Sequence, residues 1–244
     1  DVSKEAANMI LADDNFATIV AAVEEGRVVY DNIRRFVRYL LTANTSEVLT
    51  LFVAILLGMP LPLLPVHLLW INLVTDGLPA LALGFELPER DVMRRAPRRR
   101  DESIFAGGVA WEIVWLGAWM AVCCLMQAMY LLLPATPLPA PDTDRVAYMQ
   151  TATFYTLAMF QLCYVLALRS SVQSFFTLGL WSNYRLTGAV LGGTALQLAA
   201  VYLPGARRLF DTVPLAWEHL LMGTALSTLG FWAVELGKLR RRRT

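Results

Sequence analysis

A single aspartate in an apolar run constrains this chain more than any other feature. The run is Trp70-Ile-Asn-Leu-Val-Thr-Asp-Gly-Leu-Pro-Ala-Leu-Ala-Leu-Gly-Phe-Glu86. It is apolar enough to lie in a bilayer, yet it holds Asn72, Thr75 and Asp76. At i, i+3 and i+4 these three project from one face of a helix. A carboxylate at membrane depth costs about 3 kcal/mol on insertion scales, so it is kept facing a partner, a cavity or an ion. Gly77 and Pro79 follow at once and leave backbone carbonyls short of helical partners. Interrupted helices with freed carbonyls at mid-membrane are how transporters build cation sites. The plain alternative makes Asp76 a buried structural residue bonded to a neighbouring helix. Intramembrane ionisable groups are functional by default, which favours the first reading.

The rest of the composition agrees with a membrane setting. Of 244 residues 57% are hydrophobic and 17% charged, too apolar for an ordinary soluble domain. Several apolar runs of about 20 residues make the class an all-α polytopic membrane protein. A net charge of +1 gives no reason to expect a nucleic-acid partner. Cys123, Cys124 and Cys163 all fall in apolar runs and read as small buried hydrophobes; no spacing resembles a zinc site. The chain opens in mid-motif, Asp1-Val-Ser-Lys-Glu5, without a Met or a signal-peptide pattern, and reads as a fragment from the C-terminal part of a longer protein.

Residues 1–14 are soluble in character, with a short helix end at 3–8 and a buried strand at 9–12, the exit of an α/β domain. Asp13, Asp14 and Asn15 suit a helix start. From Phe16 apolar positions recur at helical spacing, and no proline interrupts the chain before Pro60. The amphipathic part at 15–38 is therefore expected to run into the apolar part at 39–60 as one helix. Such a helix is roughly 60 Å long, twice the bilayer core, and makes a cytoplasmic stalk. The proline-rich turn Gly58–Pro65 returns the chain antiparallel into a second membrane helix at 66–86. An Arg-rich loop follows at 87–105, with Arg90, Arg94, Arg95, Arg98, Arg99 and Arg100. A region of four further helices occupies 106–237, within it Val109–Leu133, Tyr148–Leu168, Tyr184–Leu203 and Ala216–Leu236. Trp111, Trp115 and Trp119 form a packing or lipid-facing stripe on the first of these. The chain closes on a basic tail, 238–244. Six spans put both ends on one side, and placing that side in the cytoplasm leaves only Arg145, Arg207 and Arg208 in the opposite connectors, as the positive-inside rule requires.

Asn44 and Glu47 lie at i, i+3 on the first helix and can turn toward Asn72, Thr75 and Asp76 on the second. Together they supply carboxylates, amide carbonyls and a hydroxyl. These hard oxygen donors suit Ca²⁺, Mg²⁺, Na⁺ or protons and argue against copper, zinc or cadmium. Composition leaves the choice among the hard cations open.

Two stretches carry a resemblance. Leu11-Ala-Asp-Asp-Asn-Phe-Ala-Thr-Ile-Val-Ala-Ala-Val-Glu-Glu-Gly-Arg27 resembles the hinge leaving the phosphorylation domain of P-type cation ATPases. Leu68-Leu-Trp-Ile-Asn-Leu-Val-Thr-Asp-Gly-Leu-Pro-Ala-Leu-Ala-Leu-Gly-Phe-Glu86 resembles the sixth membrane helix of calcium pumps of the sarcoplasmic-reticulum type. The resemblance is close over residues 1–97 and rests mainly on the span pattern afterwards. It implies that the six spans are the fifth to tenth helices of such a pump, with residues 1–14 the end of its phosphorylation domain. It also implies that Asn44, Glu47, Asn72, Thr75 and Asp76 are metal ligands, and that Gln161 stands where the family has an eighth-helix glutamate. That departure, shared with plasma-membrane-type pumps, leaves one or two ions open. The function implied is Ca²⁺ transport out of the cytoplasm, driven by ATP and Mg²⁺ in the full-length protein. The Asp-Lys-Thr-Gly motif, nucleotide domain, actuator and first four helices are absent from this sequence, so the fragment is not expected to hydrolyse ATP alone. The expected partners are the bilayer and the N-terminal part of the same pump. A P-type pump for Na⁺, Mn²⁺ or H⁺ is the nearest alternative. A non-enzymatic six-helix channel or carrier is the alternative of another class, disfavoured because a carrier needs no stalk.

Overall fold

The computed structural model describes residues 5–7, 10, 15–89, 91–99, 102–170 and 172–241. The helix and strand expected at 3–8 and 9–12 fall largely outside them, as do Arg90, Arg100 and the last three residues of the tail. Among the described residues the chain is all-helical, without strands.

Helix α1 spans Phe16–Leu56 in one piece of 41 residues, and Gly26 does not interrupt it. The Asn15 side chain accepts from the Ala17 N–H and caps its start. Gly58, at φ 65, turns the chain out of the helix, a conformation a β-carbon would strain. The next segment is one rod in three parts: α2 (Pro65–Trp70), a π-helical turn (Ile71–Asp76) and α3 (Gly77–Leu83). Then come α4 (Val109–Leu132), α5 (Arg145–Ala167), the short α6 (Phe175–Leu178), a 3₁₀ turn (Leu180–Asn183), α7 (Tyr184–Tyr202), α8 (Pro204–Phe210) and α9 (Trp217–Arg241).

Four of these are long and apolar enough to cross a membrane: α1, the Pro65–Leu83 rod, α4 and α9. The segments Leu180–Tyr202 and Pro204–Phe210, bent by 84°, make a fifth if taken as one span. Helix α5 has the length but not the hydropathy, because Thr151, Thr153, Thr156, Gln161 and three tyrosines punctuate it. Its position explains its composition. It is buried almost throughout and packs against α4, α7 and α9, so its side chains meet protein rather than lipid. A helix in that place bonds its hydroxyls to its own turns, as Thr151 and Thr153 do to Ala147 and Met149. Trp111, Trp115 and Trp119 instead face outward on α4, the last two stacked 6.3 Å apart.

The core around the rod joins Tyr39 of α1, Ala80 and Leu83 of α3, Met120 of α4, and Phe160 and Tyr164 of α5. Helices α5 and α9 approach closely because Gly223 and Gly230 offer no β-carbon to Thr156 and Phe160. The polar face of α1 is not simply solvated. Arg27 donates to the carbonyls of Val92 and Arg95, both at 2.8 Å, and Arg34 to those of Ile104 and Ala106. Arg35 pairs with Glu89 at 2.8 Å, and Arg95 with Asp31 and Glu89 at 2.7 Å each. Arg95 also bonds Asp91 and holds that carboxyl below its usual range. The Arg-rich loop is thereby fastened along the lower part of α1. At the other end of the chain α9 continues through Arg241, and Lys238, the first residue of the expected basic tail, is buried against Glu235 and the carbonyl of Ala167.

Candidate cation site

Glu47 is the centre of the polar cluster. Its two oxygens each receive an amide: Asn72 Nδ2 donates to Oε2 at 2.8 Å and Gln161 Nε2 to Oε1 at 3.1 Å. The carboxylate, 4% exposed, thus joins α1 to the π turn and to α5. Gln161, reached from the sequence only through the resemblance, is here brought to the same carboxylate as Asn72.

Thr75 and Asp76 end the π turn, both fully buried. Pro79 explains the local chemistry. It lacks the N–H that would bond the Thr75 carbonyl four residues back. The Tyr39 hydroxyl occupies that gap, 3.3 Å from the Thr75 carbonyl oxygen and 3.1 Å from Asp76 Oδ1. Thr75 Oγ1 donates back to the Ile71 carbonyl at 3.0 Å and so turns lone pairs outward. The sequence suggested a gap in the helix at Gly77 and Pro79; the rod instead widens by one π turn and resumes as α3. Single π turns inside helices concentrate at functional sites.

Asn44 stands apart from the others. It is exposed, and its amide returns to the Leu40 carbonyl at 3.0 Å on its own helix. Asn72 is likewise exposed while reaching Glu47. Tyr39 was not singled out in the sequence, although its place two turns before Glu47 on α1 was a usable signal. Tyr164, 3.3 Å from Thr42 and stacked on Tyr39, carried no such signal, because α5 meets α1 only in the folded bundle.

Two acceptors in the cluster are buried without a hydrogen-bond partner: Asp76 Oδ2 and Gln161 Oε1. Such oxygens are costly unless something completes them. Among the described residues no group of three or more His, Cys, Asp and Glu side chains gathers to hold a metal. The donors that do converge are two carboxylates, amides and a hydroxyl, a set for a hard cation.

A family model described as cation transporting ATPase, C-terminus, matches residues 60–240. The chain belongs to the cation-transporting ATPases. It is 40% identical over 243 residues to a calcium-transporting ATPase of Bacillus subtilis, an alignment covering all of this chain and 26% of the relative. It is 35% identical over 271 residues to the endoplasmic reticulum calcium ATPase srcA of Aspergillus fumigatus, covering all of the chain and 27% of that protein. With calcium-transporting ATPase 1 of Bacillus cereus the identity is 38% over 253 residues, covering 99% and 28%. The chain spans about a quarter of the length of the curated relatives it matches. As a member of this family with apolar helices of spanning length, it is an integral membrane protein.

Proposed function

We propose that this chain is the ion-translocating part of an ATP-driven calcium pump, with Asn44, Glu47, Asn72, Thr75, Asp76 and Gln161 as the ligand shell. The observation that carries the reading is the meeting of Glu47, Asn72 and Gln161 beside the buried, half-partnered Asp76. Each amide that now donates to Glu47 also bears an oxygen. Rotation of Asn72 or Gln161 about its amide axis exchanges donor for acceptor and hands that oxygen to a cation. Glu47 and Asp76 supply the negative charge that a divalent ion requires.

On this reading α1 and the Pro65–Leu83 rod are two of six spans, and α5 crosses the bilayer inside a sleeve of other helices. Residues 1–14 close the phosphorylation domain, 15–38 form the stalk, and both ends of the chain face the cytoplasm. The exposed face bearing Asn44, Val48, Phe52, Asn72 and Leu73 receives helices from the N-terminal part of the protein, which also supply the remaining ligands. The phosphorylated Asp, nucleotide domain and actuator belong to that part, where ATP and Mg²⁺ act. Ca²⁺ is the transported substrate.

The test is calcium-dependent formation of an acyl-phosphate from ATP by the full-length protein. Asp76→Asn is expected to abolish it, because the divalent ion loses one of two charged ligands on this chain. Unchanged calcium dependence in Asp76→Asn overturns the assignment.

A further inference from the structure

Ten residues beyond Asp76 lies a charge pair that the cation site does not use. Arg169, at the end of α5, donates through Nε and Nη2 to Glu86 at 3.2 and 3.0 Å. Both side chains are almost completely buried, at 1% and 3% exposure. Arg169 is completed by the Gly179 carbonyl at 2.7 Å and by the Ser182 hydroxyl. Glu86 takes a further bond from Asn183 at 2.8 Å, and its backbone carbonyl one from Asn32 of α1 at 3.0 Å. Asn32 and Asn183 also bond the carbonyls of Gly84 and Ala82. Glu86 is therefore the point where the end of the ligand rod meets α1, the end of α5 and the start of α7.

We propose that Arg169 is a positioning residue for cation binding, acting through Glu86 to hold α3 and so Thr75 and Asp76 in register with Glu47. This inference rests on the calcium-pump reading. Its mechanism is mechanical. Helix α3 is a seven-residue rod with Ala80 and Leu83 packed at 1% and 0% exposure. Such a rod passes a shift or rotation at its far end to Asp76, roughly 15 Å away. On the other side the π turn interrupts the α-helical ladder, so the restraint from Glu86 adds to those of Tyr39 on Asp76 and of Asn72 on Glu47. The planar guanidinium with two bonds to one carboxylate fixes orientation as well as distance, which a lysine cannot do.

Removing one partner of a buried pair leaves an uncompensated charge and can prevent folding, whereas replacing both is tolerated. Two variants of the full-length pump therefore carry the test: Arg169→Lys, and Glu86→Gln combined with Arg169→Gln. The readouts are the calcium concentration for half-maximal phosphorylation from ATP, phosphorylation from inorganic phosphate without calcium, and thermal stability. The expected result is a rise in half-saturating calcium of about fivefold in Arg169→Lys and about tenfold in the paired variant, corresponding to about 1.4 kcal/mol. Phosphorylation from inorganic phosphate is expected to stay within about twofold of wild type. Half-saturation unchanged in a folded variant, or a loss confined to thermal stability, overturns the proposal. The wild type separates the two readings: should it respond to another cation and not to Ca²⁺, the calcium reading falls, and the same shifts are read against the cation that drives it.

Discussion

Gln161 shows how one amide in place of a carboxylate changes a site. Its N–H groups satisfy Glu47, while its oxygen stays buried and unpartnered. Gln161→Glu replaces that donor with a second anion about 3 Å from Glu47, a repulsion of several kcal/mol in surroundings of low dielectric. A divalent cation relieves it. The variant is expected to bind calcium at least about tenfold more tightly at alkaline pH, or to bind a second ion. Counting bound calcium per phosphorylation site in wild type and variant checks this. Equal affinity and stoichiometry would remove Gln161 from the ligand shell. Tyr39 works on the other carboxylate, and it does so because Pro79 leaves the Thr75 carbonyl open.

At the scale of elements, the π turn is the part with a sharp consequence. Deleting Val74 from it restores an α register and moves Asn72 from four residues before Asp76 to three, a rotation of one about the helix axis relative to the other. With Glu86 anchored, that rotation has to separate the Asn72–Glu47 bond from the Thr75–Asp76 pair. The deletion is expected to abolish cation-dependent phosphorylation of the full-length protein while leaving its fluorescence melting transition in place. The glycine contacts act on stability instead. A β-carbon on Gly117 would stand 2.7 Å from Thr45 Cγ2 and 3.2 Å from the Thr42 carbonyl, pushing α4 off α1. Gly117→Ala is expected to cost about 1–3 kcal/mol, read as an earlier thermal transition. Gly223→Ala and Gly230→Ala should do the same between α5 and α9.

For the whole molecule the proposed topology has a direct assay. If α5 spans, residues 133–144 and 172–183 lie on opposite sides of the membrane. Cys123 and Cys124 are buried and Cys163 is intermediate in exposure, so this chain's own thiols add little background to labelling. Ser103→Cys and Thr177→Cys in the full-length protein are expected to react with a membrane-impermeant maleimide only from the cytoplasmic side, and Ala140→Cys only from the other. Labelling of Thr177→Cys and Ala140→Cys from the same side would show that α5 does not cross. Two of the charged fastenings among the described residues divide by location. Arg27, Arg34, Arg35 and Arg95 tie the Arg-rich loop to α1, and Arg169 ties the ligand rod to the α5–α7 connection.

The sequence by itself determined the all-helical class, the uninterrupted α1, and the closeness of Asn72, Thr75 and Asp76 along the rod. Each of these is local: helical spacing puts Asn72, Thr75 and Asp76 near one another whatever packs around them, and no breaker occurs before Pro60. Tertiary structure decided the rest. The Tyr39 hydroxyl meets the Thr75 carbonyl that Pro79 leaves open, an encounter between residues 36 positions apart. Asn44 and Glu47 share a helix face by spacing, yet only Glu47 is turned to partners on α5 and the rod. The sequence placed Lys238 at the start of the basic tail because Arg residues follow it; the structure continues α9 through it and buries it because Glu235 lies one turn back and the Ala167 carbonyl faces it from α5. The pairing of Arg169 with Glu86, 83 residues apart, was invisible for the same reason. A charge in an apolar sequence shows that a partner must exist, but only the packing of helices against one another chooses which.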